Sequence, residues 1–163
     1  NLKIYFSLNQ IFIESIMEET DHPEILYTAR LIEGEYPEYQ EIVPKKFETE
    51  IDVYKNEFLQ KIKTASLFAS KANEIKLKIS PKENKIFIFA QNTDFGEIEA
   101  SMEAQIKGKA MEISFNYKFL EEGIESCDGE KIQIKFTSLE GPAMISSLQD
   151  ENYFYLLMPI KTS

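Results

Sequence analysis

The sequence has too little of several things for several functions. It holds one cysteine, Cys127, which excludes an internal disulfide and fits a reducing compartment. It holds one histidine, His22, set between Asp21 and Pro23 with no second histidine or cysteine nearby, so no zinc-ligand spacing exists. Glycine never clusters into a phosphate-cradling loop, and no Gly-x-Ser-x-Gly elbow occurs. Glu121 and Glu122 are adjacent and point in two directions on a helix, which makes them a poor acid–base couple. No catalytic residue, metal ligand or cofactor is therefore expected. No apolar run approaches the roughly 20 residues that span a bilayer, and no signal peptide is read at the start. The expectation is a cytoplasmic protein with no membrane partner. Positive charge is also short: 18 basic against 28 acidic residues give a net charge of −10. That balance excludes nucleic-acid binding through bulk charge, so any DNA contact needs a local basic surface.

What the sequence does have is apolar content, 43%, enough for a packed core in one domain with part of another beside it. Residues 2–8, 11–17 and 25–32 read as three strands. Without a helix to cover them they are marginal alone, so residues 1–43 read as part of a larger domain. The chain opens at Asn1 almost directly in strand-like sequence, which reads as part of a longer chain. Residues 33–44, with two prolines and one glycine, read as a linker.

From Phe47 the pattern changes. A short strand is followed by Asp52 as a helix N-cap and by helical spacing over 53–70, with Phe58, Ile62, Ala65 and Ala69 on the core face. Residues 75–79, 85–91 and 97–106 are three strands. The order then repeats: a strand at 111–115, Asn116 as a cap, a shorter helix with Leu120, Ile124 and Cys127 on its apolar stripe, and strands at 131–136, 143–147 and 154–158. Strand–helix–three strands occurs twice. The fold class expected is α+β, two four-stranded antiparallel sheets with two helices on one side and internal pseudo-symmetry, plus three strands of a preceding domain.

Two surfaces stand out. On the first helix, Gln60, Lys63, Thr64 and Lys71 fall roughly opposite the core face, within a run of lysines. Leu67 falls nearly opposite the core too, and Phe68 a quarter turn further round; two large apolar side chains there need a cover, expected from another polypeptide because the core face is already supplied, with a loop of the same chain as the alternative. At the far end of the chain, Tyr153 to Met158 is an unbroken apolar and aromatic run that suits a strand covered on both faces. Pro159 ends it, having no N–H to donate, and Met158, Pro159 and Ile160 are left together where they can wall an apolar groove.

Several motifs, in this order and at these separations, resemble one family. Arg30-Leu31-Ile32-Glu33-Gly34-Glu35-Tyr36-Pro37-Glu38-Tyr39, continued by Ile42-Val43-Pro44, is similar to the signature closing the middle domain of the bacterial DNA sliding clamp, the beta subunit of the replicative DNA polymerase. Ile113-Ser114-Phe115-Asn116 resembles the strand entering that clamp's last helix, and Leu157-Met158-Pro159-Ile160-Lys161 its Met-Pro-x-Arg terminus. The resemblance covers the whole chain. Residues 1–43 match the last strands of the middle domain and the linker, and 44–163 the complete third domain, with the first domain and the earlier part of the middle one absent.

The resemblance implies a non-catalytic processivity factor: a homodimeric ring around duplex DNA, contacted without regard to sequence, that tethers the replicative polymerase, the clamp loader and other proteins through short peptide motifs. It assigns a partner-peptide groove to Pro37, Ile42, Asn116, Phe119, Leu156, Met158, Pro159, Ile160 and Lys161. It turns Gln60, Lys63, Thr64 and Lys71 toward DNA, and places Leu67 and Phe68 in the head-to-tail subunit contact. Lys161 stands where the family often has Arg, which loses the planar fork; the middle domain's own pocket motif is not in this chain. Two other readings are a peptide-binding module unrelated to DNA and a hydrolase on an α+β scaffold.

Overall fold

The computed structural model describes residues 2–16, 23–36, 38–150 and 153–161; Pro37 and His22 lie outside the described residues. The chain divides into two compact units, Asn1–Gln40 and Glu41–Ser163. The first is an antiparallel meander of β1 (Leu2–Phe6), β2 (Gln10–Ile16) and β3 (Pro23–Arg30). Ile4 pairs with Ile13 and Ile13 with Tyr27, the period-2 pairing the alternation requires. Leu2, Ile4 and Phe6 are exposed, as are Ile25, Leu26 and Tyr27. A short 3₁₀ turn, Tyr39–Glu41, lies within the stretch read as a linker.

The second unit runs β4 (Thr49–Tyr54), α1 (Lys55–Ser66), β5 (Glu74–Ser80), β6 (Lys85–Asn92), β7 (Gly96–Glu103), β8 (Gln105–Gly108), β9 (Met111–Asn116), α2 (Tyr117–Glu125), β10 (Lys131–Phe136), β11 (Ala143–Ser147) and β12 (Phe154–Leu157). One sheet has the order β7-β6-β5-β9 and the other β12-β11-β10-β4-β8. The two halves thus exchange strands. β9, which opens the second half, pairs with β5 of the first through Ile113–Leu77 and Phe115–Ile75. β4, which opens the first, pairs with β10 of the second through Ile51–Ile134 and Val53–Ile132. The two helices lie against each other, and the fully buried Phe58, Ile62, Leu120 and Ile124 join Ile51, Leu77, Ile88, Phe115 and Phe136 in one core. Each such side chain contributes about 1.5–3 kcal/mol on burial.

Three details depart from the expected elements. The second sheet has five strands, because the run expected as one strand over 97–106 breaks at Ala104, whose amide donates to the Asn84 carbonyl at 2.9 Å. The chain then crosses to the other sheet as β8 and pairs with β4. Gly108 closes that crossing at φ 113°; a Cβ there would stand 2.1 Å from the Glu48 carbonyl oxygen, so only glycine fits. The first helix is shorter than expected. Asp52 does not cap it: strand pairing holds β4 extended to Tyr54, which faces Lys131, and the Asp52 carboxylate accepts from Gln133 Nε2 at 2.7 Å. Tyr54 is the N-cap, with no side-chain bond. The helix stops at Ser66, so Ala69 lies beyond it, half-buried.

Candidate functional site

The apolar end of the chain is built by the arrest of a strand. β12 pairs with β11 through Leu156–Met144 and Leu157–Ala143. The ladder ends at Leu157 because Pro159 has no N–H and holds the residue before it extended. The chain then leaves the five-stranded sheet. Pro159 is buried, and the Ile160 amide donates to the Ser114 carbonyl of β9, the outer strand of the four-stranded sheet, at 2.8 Å. The segment 158–160 therefore bridges from one sheet to the other. Met158, between two anchored neighbours, keeps 60% of its surface open, and Lys161 follows exposed.

Ser114 leads directly to the next part of the site. Two residues on, Asn116 ends β9 with extended backbone, and its Oδ1 accepts from the Lys118 amide at 3.0 Å, the N-cap that its residue type favours. That cap fixes the first turn of α2, from which Phe119 projects 55% exposed. So 158–160, Asn116 and Phe119 are tied through one short stretch of β9 and α2, with half-buried Leu156 on β12. Ile42 is exposed on the segment leading to β4.

Sequence reading missed the contact that sets β12 against α2. Gly123 sits on the face of α2 that meets β12; a Cβ there would lie 2.6 Å from Tyr155 Cδ1 and 3.0 Å from Ile145 Cδ1. The Tyr155 hydroxyl reaches Glu122 Oε2 at 3.4 Å. Burial and then the Glu122 carboxylate push its phenol above the usual tyrosine range. Also missed was the Ser114 hydroxyl, buried and without a hydrogen-bond partner among the described residues.

On α1, Gln60, Lys63 and Thr64 are exposed. The Thr64 hydroxyl donates back to the Gln60 carbonyl at 2.9 Å. Lys63 Nζ is 2.6 Å from Glu125 Oε1 of α2, and that hydrogen bond holds the Lys63 ammonium above its ordinary value. Lys55 donates to the Glu125 carbonyl at 3.1 Å and to the Cys127 carbonyl, so it satisfies the open C-terminal carbonyls of α2. Lys71 is exposed but lies in the turn after α1, not on the helix.

The expected apolar pair at the end of α1 divides. Leu67 is 72% exposed, whereas Phe68 is half-buried and packs on the core. The helix ends one residue before Leu67, and the Phe68 amide turns back to the Ala65 carbonyl at 2.9 Å. That turn takes Phe68 off the outer surface that the extended helical wheel gave it.

An open concavity of this unit, about 690 Å³ and lined by Asp52, Tyr54, Glu83, Glu103 and Lys131 among others, takes in none of these residues. Among the described residues no group of three or more His, Cys, Asp or Glu side chains gathers to hold a metal ion. Among the described residues no helix is long and apolar enough to cross a membrane.

Residues 40–161 match the family described as DNA polymerase III beta subunit, C-terminal domain. A beta sliding clamp of Bacillus subtilis is 32% identical over 161 residues, covering 94% of this chain and 42% of that protein. One of Synechococcus elongatus is 30% identical over 135 residues, covering 82% and 36%. The chain thus spans about two fifths of the length of these relatives. Among solved structures, the Bacillus subtilis DNA polymerase sliding clamp superposes with a TM-score of 0.86 at 30% identity, over 99% of this chain and 41% of that one. A Pseudomonas aeruginosa sliding clamp bound to griselimycin gives 0.83 at 17% identity, over 98% and 41%, a likeness of fold.

Proposed function

Because the chain belongs to the DNA polymerase III beta subunit family, the bacterial sliding clamps, we propose that it serves as part of a DNA polymerase processivity factor. In this reading it catalyses no reaction. It contributes to a ring that encircles duplex DNA and holds the polymerase, clamp loader and other DNA enzymes near their template, which raises their effective concentration without new chemistry.

The observation that carries the reading is the bridge at 158–160: an open Met158 between anchored neighbours, with Phe119 exposed on the helix that the same stretch of β9 leads into. Apolar side chains held open on a rigid frame suit an inserted peptide, and methionine adapts to several partners. Asn116, Leu156, Pro159, Ile160 and Lys161 complete this wall, with Ile42 contributed from the segment leading to β4. Griselimycin on the Pseudomonas relative supports a ligand-taking surface in this fold. Gln60, Lys63, Thr64 and Lys71 form the side toward DNA. Leu67 is the apolar contact to a neighbouring subunit, with Phe68 supporting it from the core side.

Fluorescence polarisation tests the groove. A labelled peptide bearing the polymerase's clamp-binding segment is titrated with this chain and with Met158→Ala. A loss of affinity of about 1–2 kcal/mol, the scale of an interface hot spot, at unchanged melting temperature is expected. Equal affinity for both overturns the assignment. For the DNA part, a protein of its relatives' full length carrying this sequence is expected to stay on nicked circles and leave once they are linearised; a peptide-binding module unrelated to DNA shows no such topological dependence.

A further inference from the structure

Lys63, the one lysine of the proposed DNA side that stands on α1 itself, is already occupied. Its Nζ lies 2.6 Å from Glu125 Oε1, and both side chains are 52% exposed. The pair is open to water and to any competing anion. Glu125 is also held in place: its backbone carbonyl accepts from Lys55, which fixes the end of α2 beside α1. Glu121, one turn earlier on α2, adds a further attraction on Lys63. To an ammonium, a carboxylate and a phosphate offer the same kind of charged acceptor oxygen.

We propose that Glu125 is a built-in competitor for the DNA backbone, which holds Lys63 when no phosphate is near and must release it before Lys63 contacts DNA. The proposal rests on the reading that this side of α1 faces DNA. Its physical content is exchange in place of accumulation. Each Lys63–phosphate contact replaces an ion pair of similar chemistry, so the net gain is the small difference between two exposed interactions. A contact of that kind is weak and quickly traded from one phosphate to the next, which suits a protein that must move along the duplex without regard to sequence.

The test is a double-mutant cycle on this chain. Wild type, Glu125→Gln, Lys63→Gln and the double variant are titrated with a short labelled duplex at low salt. Glu125→Gln is expected to bind roughly two- to five-fold tighter than wild type, the range of an exposed ion pair, and Lys63→Gln more weakly. The double variant is expected to match Lys63→Gln alone, because Glu125 acts only through Lys63. If Glu125→Gln tightens binding equally with and without Lys63, the carboxylate acts through overall charge and the proposal is overturned. If Lys63→Gln weakens binding while Glu125→Gln changes nothing, the DNA side stands and the competitor falls. If no variant differs from wild type, the assignment of α1 to DNA fails, and the proposal with it.

Discussion

The amide of Ile160 donates to the carbonyl oxygen of Ser114 at 2.8 Å, so the residues after Pro159 are fastened to the outer strand of the opposite sheet. With the buried Leu157 and Pro159, this bond holds the segment that presents Met158. Ile160→Pro removes the donor. The expected loss is about 1 kcal/mol of peptide affinity, roughly five-fold, with the melting temperature of the second unit nearly unchanged. Polarisation titration and a thermal melt on the same sample check it; unchanged affinity would mean that the bridge does not organise the groove.

Gly123 gives a prediction whose sign opposes the usual rule. Glycine to alanine inside a helix ordinarily stabilises by up to about 1 kcal/mol. Here the added carbon would stand 2.6 Å from the Tyr155 ring, so Gly123→Ala is expected to destabilise by about 1–3 kcal/mol, the range of an overpacked contact. Urea unfolding measures it. Adding Tyr155→Ala should recover part of the loss, because the two sites touch and their effects are not additive.

The two residues after α1 should separate cleanly. Leu67→Ala is expected to leave stability within about 0.5 kcal/mol, as for exposed positions, and to weaken any association between chains in sedimentation. Phe68→Ala removes a side chain packed on the core and should cost more than about 1 kcal/mol in urea unfolding. Equal stability losses from the two would contradict the division.

Cys127 makes stability depend on pH. Burial pushes its thiol above the ordinary value, against the opposing pull of Lys55. Below the unfolded thiol's value of about 8.5, both states are protonated and the contribution is fully present. As pH rises past that value the unfolded chain ionises first, so stability falls until the folded thiol also titrates. Unfolding free energies between about pH 7.5 and 9.5 should decline more for wild type than for Cys127→Ala. Parallel declines would show that the thiol ionises alike in the folded and unfolded states, so that burial does not raise it.

Elements with one buried face were legible in the sequence. β10 and β11 fall where their alternation predicts, since every second residue of 131–136 and 143–147 enters the core. The apolar stripe of α2 and its Asn116 cap were legible for the same local reason. Beyond local pattern the reading failed. Alternation continues through Ala104, so nothing local announces that the chain changes sheets there; pairing with β4 decides it. Asp52 is a good cap by type, but β10 claims it as strand. At the site, the tail motif did not reveal that Pro159 is buried and Met158 open. The Lys63–Glu125 pair spans 62 residues, a distance over which charge patterning along one helix carries no information.

The exchange of β4 and β9 between the halves has a consequence for how the second unit comes apart. Although its order reads as a duplication, neither copy contains a complete sheet: cut between β8 and β9, the first piece loses the strand that closes β5, and the second loses the strand that backs β10. The repeats are interlocked, so melting one means melting both. Amide exchange in β5 and β10 should therefore proceed through a single global opening, and the two pieces expressed separately should gain structure only when mixed.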